Sequence, residues 1–297
     1  MTGADAELPA ALDLGELTGP LLVFGGPYSN LEATRALRRI ASERRIPAHQ
    51  CICTGDLVAY CADPVATVKE IRDWGVRIVM GNCEESLAAG AADCGCGFDQ
   101  GSRCNLLSGQ WFAYASTLID DDTRHWMATL PRRLEFTFNG LRLAVVHGGT
   151  AQINRFLFAS HNDADFRQEL ERLGVDGVLA GHSGIPFTRQ TGGSLWHNAG
   201  VIGMPANDGS KQTWYSLLES AGPGQVRIGH HRLHYDAATA AGKMRQAGLT
   251  GGYQDALETG LWPSLDVLPE QEKSETGRAL NIDQRIWPHH HPQHTAR

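Results

Sequence analysis

Cys51-Ile52-Cys53-Thr54-Gly55-Asp56-Leu57-Val58 is a short apolar run broken by a glycine and an acid. A run of that length, stopped by Gly, reads as a buried strand, and Gly55-Asp56 as the turn that leaves its end. The pattern recurs along the chain. Arg77-Ile78-Val79-Met80 stops on Gly81-Asn82-Cys83-Glu84, and Leu141 to Val145 runs into Val146-His147-Gly148. Val175 to Leu179 is followed by Gly181-His182-Ser183-Gly184. Polar motifs placed just beyond strand ends mark an α/β fold, whose sites lie outside the carboxyl ends of the strands. Asp56, Asn82, His147 and His182 are oxygen and nitrogen donors of the kind a hydrolytic metal site uses.

Outward from these motifs, helix and strand signals alternate. Leu21-Leu22-Val23-Phe24 reads as a strand ending in Gly25-Gly26, and Asn30 as the N-cap of a helix. Pro64 opens a helix that Gly75 closes after Trp74. Further helices are expected around 105–118, 121–129, 163–173, 236–247 and 252–260. Asn139-Gly140, between Leu134–Phe138 and Leu141–Val146, is a hairpin turn signal. The stretch from Pro186 to Tyr235 alternates short strands with Gly-rich turns. The layout predicts two sheets packed together with helices outside. Residues 1–17 read as a flexible leader and 18–268 as one domain carrying a Cys-rich loop at 91–104. Residues 269–297 read as a polar, mobile tail with His289, His290, His291 and His294.

Bulk properties narrow the function. With 297 residues the chain can bury a sizeable core, and 42% apolar with 20% charged residues is ordinary for a soluble protein. A net charge of −7 argues against nonspecific nucleic-acid binding, which needs a basic face. No apolar run reaches the roughly 18 residues of a membrane span, and the acidic start lacks the basic segment of a secretory signal. A cytoplasmic location, without membrane contact, is the expectation. All 7 cysteines lie between Cys51 and Cys104, an odd number that favours thiols or ligands over a disulfide framework.

In order and spacing the motifs resemble those of the calcineurin-like metallophosphoesterases, in particular the bacterial phosphodiesterase-like and diadenosine-tetraphosphatase-like branch. Gly55-Asp56 through Asp63-Pro64 resembles the second motif, Gly81-Asn82-Cys83-Glu84 the third, and Val146-His147-Gly148 and Gly181-His182-Ser183-Gly184 the last two. Asn198-Ala199-Gly200-Val201-Ile202-Gly203 is similar to the family's Asn-Pro-Gly-Ser-Val-Gly segment. The resemblance spans about residues 20–220. It implies a four-layer αββα sandwich of two mixed sheets, a metal held by Asp56, Asn82, His147 and His182, and hydrolysis of a phosphomonoester or phosphodiester by metal-activated water.

The resemblance fails in one place. The family's first motif reads Asp-x-His-Gly-Asn, and aligning on Asn30 puts Gly26 at the Asp and Tyr28 at the His. Gly184 stands where the last motif has its second His, and Cys83 where the third has a His that helps the leaving group. All three missing ligands serve one metal of the family's pair, so one site is expected to be lost or rebuilt. A divalent transition metal (Mn, Fe or Zn) suits the site that remains.

Cys83, Cys94, Cys96 and Cys104 could rebuild a metal site, form a redox pair, or be ordinary thiols; their spacing matches no standard zinc signature. Cys51 and Cys53 read as packing cysteines on one strand face. Cys83 and His147 are the candidate catalytic residues. Tyr28, Asn30 and Arg155 are candidate contacts for a phosphorylated small-molecule substrate, Arg155 because a guanidinium forks onto phosphate. Tyr28 alternatively fills the space a histidine left. The competing functions are a non-catalytic scaffold on the same fold and a metalloenzyme of altered chemistry that uses the cysteines. Oligomeric state is not legible.

Overall fold

The fold is described for residues 8–288 of a computed structural model. One sheet holds β1 (Leu12–Leu17), β5 (Leu134–Phe138), β6 (Leu141–Val145), β7 (Gly177–Ala180), β8 (Phe187–Thr191) and β9 (Ser194–Asn198), in the order β1-β5-β6-β7-β9-β8. The other holds β2 (Leu21–Phe24), β3 (Cys51–Cys53), β4 (Arg77–Ile78), β10 (Thr213–Gly222), β11 (Gln225–Leu233) and β12 (Arg285–Trp287), in the order β12-β11-β10-β2-β3-β4. Both are mixed: β2, β3 and β4 run parallel, as do β6, β7 and β9, while β10 and β11 pair antiparallel over nine residue pairs. The helices are α1 (Leu31–Glu43), α2 (Pro64–Trp74), α3 (Asn82–Ala88), α4 (Arg103–Leu118), α5 (Asp121–Ala128), α6 (Asp163–Leu173), α7 (Ala237–Gln246), α8 (Tyr253–Thr259) and α9 (Glu270–Ser274).

Three apolar layers separate four structural ones. Leu21, Val23, Ile52 and Val79 face Leu143, Val145, Leu179 and Leu195 between the sheets. Leu22, Phe24, Cys51 and Cys53 look the other way, onto Leu37, Val68, Ile71 and the other helical residues of that side. Phe166, Leu170 and Leu173 of α6 cover Val178 and Trp196 of the first sheet. Strands buried on both faces need continuous apolar runs, which is why 21–24 and 51–53 were legible as strands. The two mixed six-stranded sheets with flanking helices are the sandwich the motifs imply.

Two expectations are corrected. The leader is not loose over its second part, since Leu12–Leu17 forms β1 and pairs parallel with β5. The tail is not free either. Its Arg285–Trp287 segment adds β12 to the edge of β11, and Trp287 is buried with its Nε1 donating to Gly193 O at 2.9 Å. The tail histidines lie outside the described residues. Among the described residues no helix is long and apolar enough to cross a membrane.

Candidate metal centre

Loops leaving the ends of four strands bring Asp56, Asn82, His147 and His182 together. Asp56 follows β3, Asn82 begins α3 just past β4, His147 follows β6 and His182 follows β7. All four are buried. Asp56 and His182 sit at φ +58° and +61°, a strained conformation for non-glycine residues that surrounding structure must hold.

The His147 ring organises the centre. Its Nδ1 lies 2.6 Å from the Thr54 carbonyl, which can only accept, so Nδ1 carries the hydrogen. Nε2 then turns its lone pair to the other ligands: 3.2 Å from Asp56 Oδ2, 3.0 Å from Asn82 Oδ1 and 3.1 Å from His182 Nδ1. The Asn82 amide is oriented by its nitrogen, which donates to the Cys94 carbonyl at 2.9 Å and leaves Oδ1 facing inward. Asp56, Asn82 and a neutral His147 thus present only acceptors to one another. Buried acceptors so close require positive charge between them, either a proton or a cation. In the metal-free protein the proton takes that part. Burial opposes charge on His147, but the Asp56 carboxylate outweighs it and raises the imidazole above its ordinary value. Burial and the His147 charge push His182 down to about 3. Burial alone would lift Asp56, yet His147 holds it below the usual carboxylate range. Ligand atoms of Asp56, His147 and His182 lie within 4.8 Å of one another, a group able to hold a metal ion. The residues present fit a divalent cation.

Three positioning devices surround the ligands. Glu84, fully buried, accepts from the backbone N–H groups of Asp56 at 2.8 Å, Leu57 at 2.7 Å and Gly81 at 3.0 Å, and so ties the second and third motifs together. Burial and then the Asp56 charge raise its carboxyl above the ordinary value. The Asn198 amide donates to Gly181 O at 2.8 Å and Ser183 Oγ at 2.7 Å, fixing the turn that carries His182. Phe156 packs against the His182 ring, tilted by 36° with 4.2 Å between centroids. The acid in Gly81-Asn82-Cys83-Glu84 was the sequence signal for the first device. Nothing marked Phe156.

Aromatic rings pack over Gly26 and Gly184, the residues that depart from the family's motifs. A Cβ built on Gly26 would lie 2.5 Å from Tyr28 Cζ, so the Tyr28 ring stands over the position where the family places its aspartate. A Cβ on Gly184 would lie 3.3 Å from the indole of Trp262, which is fixed by Nε1 donating to Pro205 O at 2.6 Å. Burial holds the Tyr28 phenol far above its usual value, against a phenolate ligand. Tyr28, Tyr60, Phe98, Phe156, Tyr253 and Trp262 wall a narrow cleft of about 50 Å³ that reaches Asp56 and His182.

The other candidates separate. Asn30 is spent on structure: it caps α1 through Ala33 N and donates to Gly203 O at 3.1 Å. Arg155 is no free phosphate clamp, because its guanidinium pairs with Glu169 and, at 2.9 Å, with Asp165. Cys83 is buried and absent from the cleft wall, and burial pushes its thiol up, which removes the case for it as an acid. Three of the four candidate cysteines meet at the Asn82 amide, whose nitrogen lies 3.6 Å from Cys83 Sγ and 3.4 Å from Cys96 Sγ and donates to Cys94 O. Cys94 and Cys96 form a disulfide, while Cys104 lies apart beside Asp266 and Ser264. Cys51 and Cys53 are buried together in β3 as expected.

The sequence profile of the calcineurin-like phosphoesterase superfamily domain matches residues 29–220. The chain belongs to that superfamily. The match begins just after Gly26 and Tyr28, the residues that depart from the first motif. An uncharacterised protein of Methanocaldococcus jannaschii is 25% identical over 217 residues, 72% of this chain and 80% of its own length. A metallophosphoesterase of Sphaerobacter thermophilus superposes with a TM-score of 0.64 at 18% identity, covering 82% of this chain and all (100%) of that one. A hypothetical protein of Pyrococcus horikoshii gives 0.66 at 13% identity, with 81% and 98% covered. At such identities these two likenesses concern the fold.

Proposed function

We propose that the protein is a single-metal phosphoesterase that hydrolyses a phosphomonoester or phosphodiester of a small molecule. Family membership supports a metal-dependent phosphoesterase in general. The observation that carries the finer reading is the gathering of Asp56 Oδ2, Asn82 Oδ1 and His182 Nδ1 within 3.2 Å of one His147 nitrogen, beside a Gly26 that the Tyr28 ring covers. Asp56, Asn82, His147 and His182 would hold one divalent transition metal. Polarisation of a phosphoryl oxygen and acidification of water are the chemistry such a cation supplies. The chain's own contribution is order. Thr54 fixes the His147 tautomer, Glu84 fixes the loop carrying Asp56, and the aromatic walls narrow the cleft that leads to them.

Bound metal is measured on the full chain and on His147→Ala, so that metal on the tail histidines cancels in the difference. Hydrolysis of an aryl phosphomonoester and an aryl phosphodiester is followed with added Mn²⁺ or Fe²⁺. The wild type should hold one more equivalent than the variant, with hydrolysis that the variant lacks. Hydrolysis that survives His147→Ala would sink the reading. Metal bound without hydrolysis would favour a metalloenzyme of altered chemistry, and neither metal nor hydrolysis would favour the scaffold.

A further inference from the structure

Cys94-Gly95-Cys96 lies against the metal centre, in contact with Asn82. The two cysteines are joined by a disulfide across a single residue, with Gly95 at φ +63° turning the chain between them. Cys96 lines the cleft together with Asp56 and His182. The pair touches one ligand directly. Asn82 Nδ2 donates to Cys94 O at 2.9 Å and lies 3.4 Å from Cys96 Sγ, while Oδ1 of the same amide faces His147 Nε2. The turn is held from its other side by Asn154, whose Nδ2 donates to Gly95 O at 2.9 Å.

A disulfide that closes so short a loop restricts the unfolded chain little, so stabilisation is a weak reason for its presence. Its position is a better one. The amide that offers oxygen to the cation offers its nitrogen to the disulfide turn, and a planar amide cannot keep one end fixed while the other moves.

We propose that Cys94–Cys96 is a thiol–disulfide exchange site opening on the cleft, and that its oxidised form holds Asn82 in its ligating orientation. The co-reactant is a small thiol or dithiol. Its thiolate attacks the Cys96 sulfur, the bond between the two protein sulfurs breaks, and Cys94 leaves as thiolate and takes up a proton. A second thiolate of the co-reactant displaces Cys96 from the mixed disulfide, which leaves two protein thiols and one oxidised co-reactant. The reverse, driven by a small disulfide, transfers the two electrons back. In the dithiol form the sulfurs separate to non-bonded distance, the turn shifts, and Asn82 loses its anchor at Cys94 O. The coupling rests on the metal centre proposed above; the exchange site itself does not.

The test uses the full-length protein equilibrated in a series of dithiothreitol to oxidised dithiothreitol ratios. Native protein is alkylated, digested and read by mass spectrometry, and Mn²⁺ affinity is measured by dye competition at each ratio. Cys94 and Cys96 should pass together from blocked to alkylated while the fold persists, and Mn²⁺ affinity should fall about tenfold or more, the size of effect typical for losing support of a ligand. Cys94→Ser/Cys96→Ser should bind Mn²⁺ like the reduced wild type at every ratio; since the wild type is titrated alone, a variant that does not fold leaves the test intact. A pair that stays oxidised in native protein at every ratio, or stays reduced at every ratio, would overturn the exchange site. A reducible pair with unchanged Mn²⁺ affinity would overturn the coupling alone. No Mn²⁺ bound in either state would overturn the metal centre and the coupling with it, while the alkylation pattern still decides the exchange site.

Discussion

The two sides of the cleft hold the same kind of backbone and opposite contents. On one side Asp56, Asn82, His147 and His182 crowd their acceptors around a point that needs positive charge. On the other, Gly26 and Gly184 lie under the rings of Tyr28 and Trp262. Aromatic side chains occupy the space over both glycines, one of them pinned by its own hydrogen bond to Pro205 O. That packing is part of the present core, and placing a ligand there means removing packed volume first. The kept side is supported in the opposite manner, by polar groups that hold strained ligands in place.

The comparison breaks most readily at Glu84. If the kept side depends on loop positioning, Glu84→Ala should be the most damaging change short of removing a ligand. It leaves the N–H groups of Asp56, Leu57 and Gly81 buried without an acceptor. At about 1–3 kcal/mol for each orphaned group, the expected cost is at least about 3 kcal/mol, read by chemical denaturation. Glu84→Gln keeps one oxygen and should fold, with metal affinity lowered about 10–100-fold, the range seen when support of a ligand is lost. Unchanged affinity in Glu84→Gln would mean that the ligands hold themselves.

The filled side makes the reverse prediction. Gly26→Asp returns the family's ligand but places its Cβ in the Tyr28 ring, and overpacking of that kind costs about 1–3 kcal/mol. Tyr28→Ala removes the clash but not the strain of a side chain at φ +34°, so Gly26→Asp/Tyr28→Ala should be less destabilised than the sum of the two single variants, a favourable coupling read from a double-mutant cycle. Neither should bind a second equivalent of metal, because Trp262 still covers Gly184. A single variant as stable as the wild type would mean that Tyr28 swings away freely and that the position is open.

The sequence carried the kept side better than the filled one, for a physical reason. The strand 51–53 is buried on both faces and leaves a continuous apolar run, and Asp56 follows it within three residues. Even Cys94-Gly95-Cys96 placed its thiols together locally. Trp262 reaches Gly184 across 78 positions, and no local pattern announces such a contact. β1 was missed because it is an edge strand with five of its six residues at least partly exposed, and β12 because three residues amid polar neighbours give no periodicity. Asn30 and Arg155 were residue types suited to phosphate, and only the structure could reveal that their hydrogen-bonding groups are already taken.

Two further buried histidines sharpen what is special about the pair in the centre. His197 on β9 and His230 on β11 meet with ring centroids 4.6 Å apart and planes tilted by 32°, and no carboxylate is among the groups that shift either one. His197 Nδ1 meets Thr188 Oγ1 at 2.8 Å and His230 Nε2 donates to Asn198 O at 2.9 Å. Burial pushes both down, His230 to about 4. Their folded values lie below the unfolded value of about 6.5, so the unfolded chain takes up protons that the folded one refuses. Stability is then fully present above that value and lost as pH falls from about 6.5 toward 4, by about 2 kcal/mol for His230 between pH 7 and pH 5. His147 has the opposite sign, because Asp56 raises it, and its contribution persists as the pH falls through this window. Denaturation in chelator at pH 7 and pH 5 should therefore show a loss that His230→Gln reduces, and a loss of unchanged size in His230→Gln would mean that burial does not hold His230 neutral.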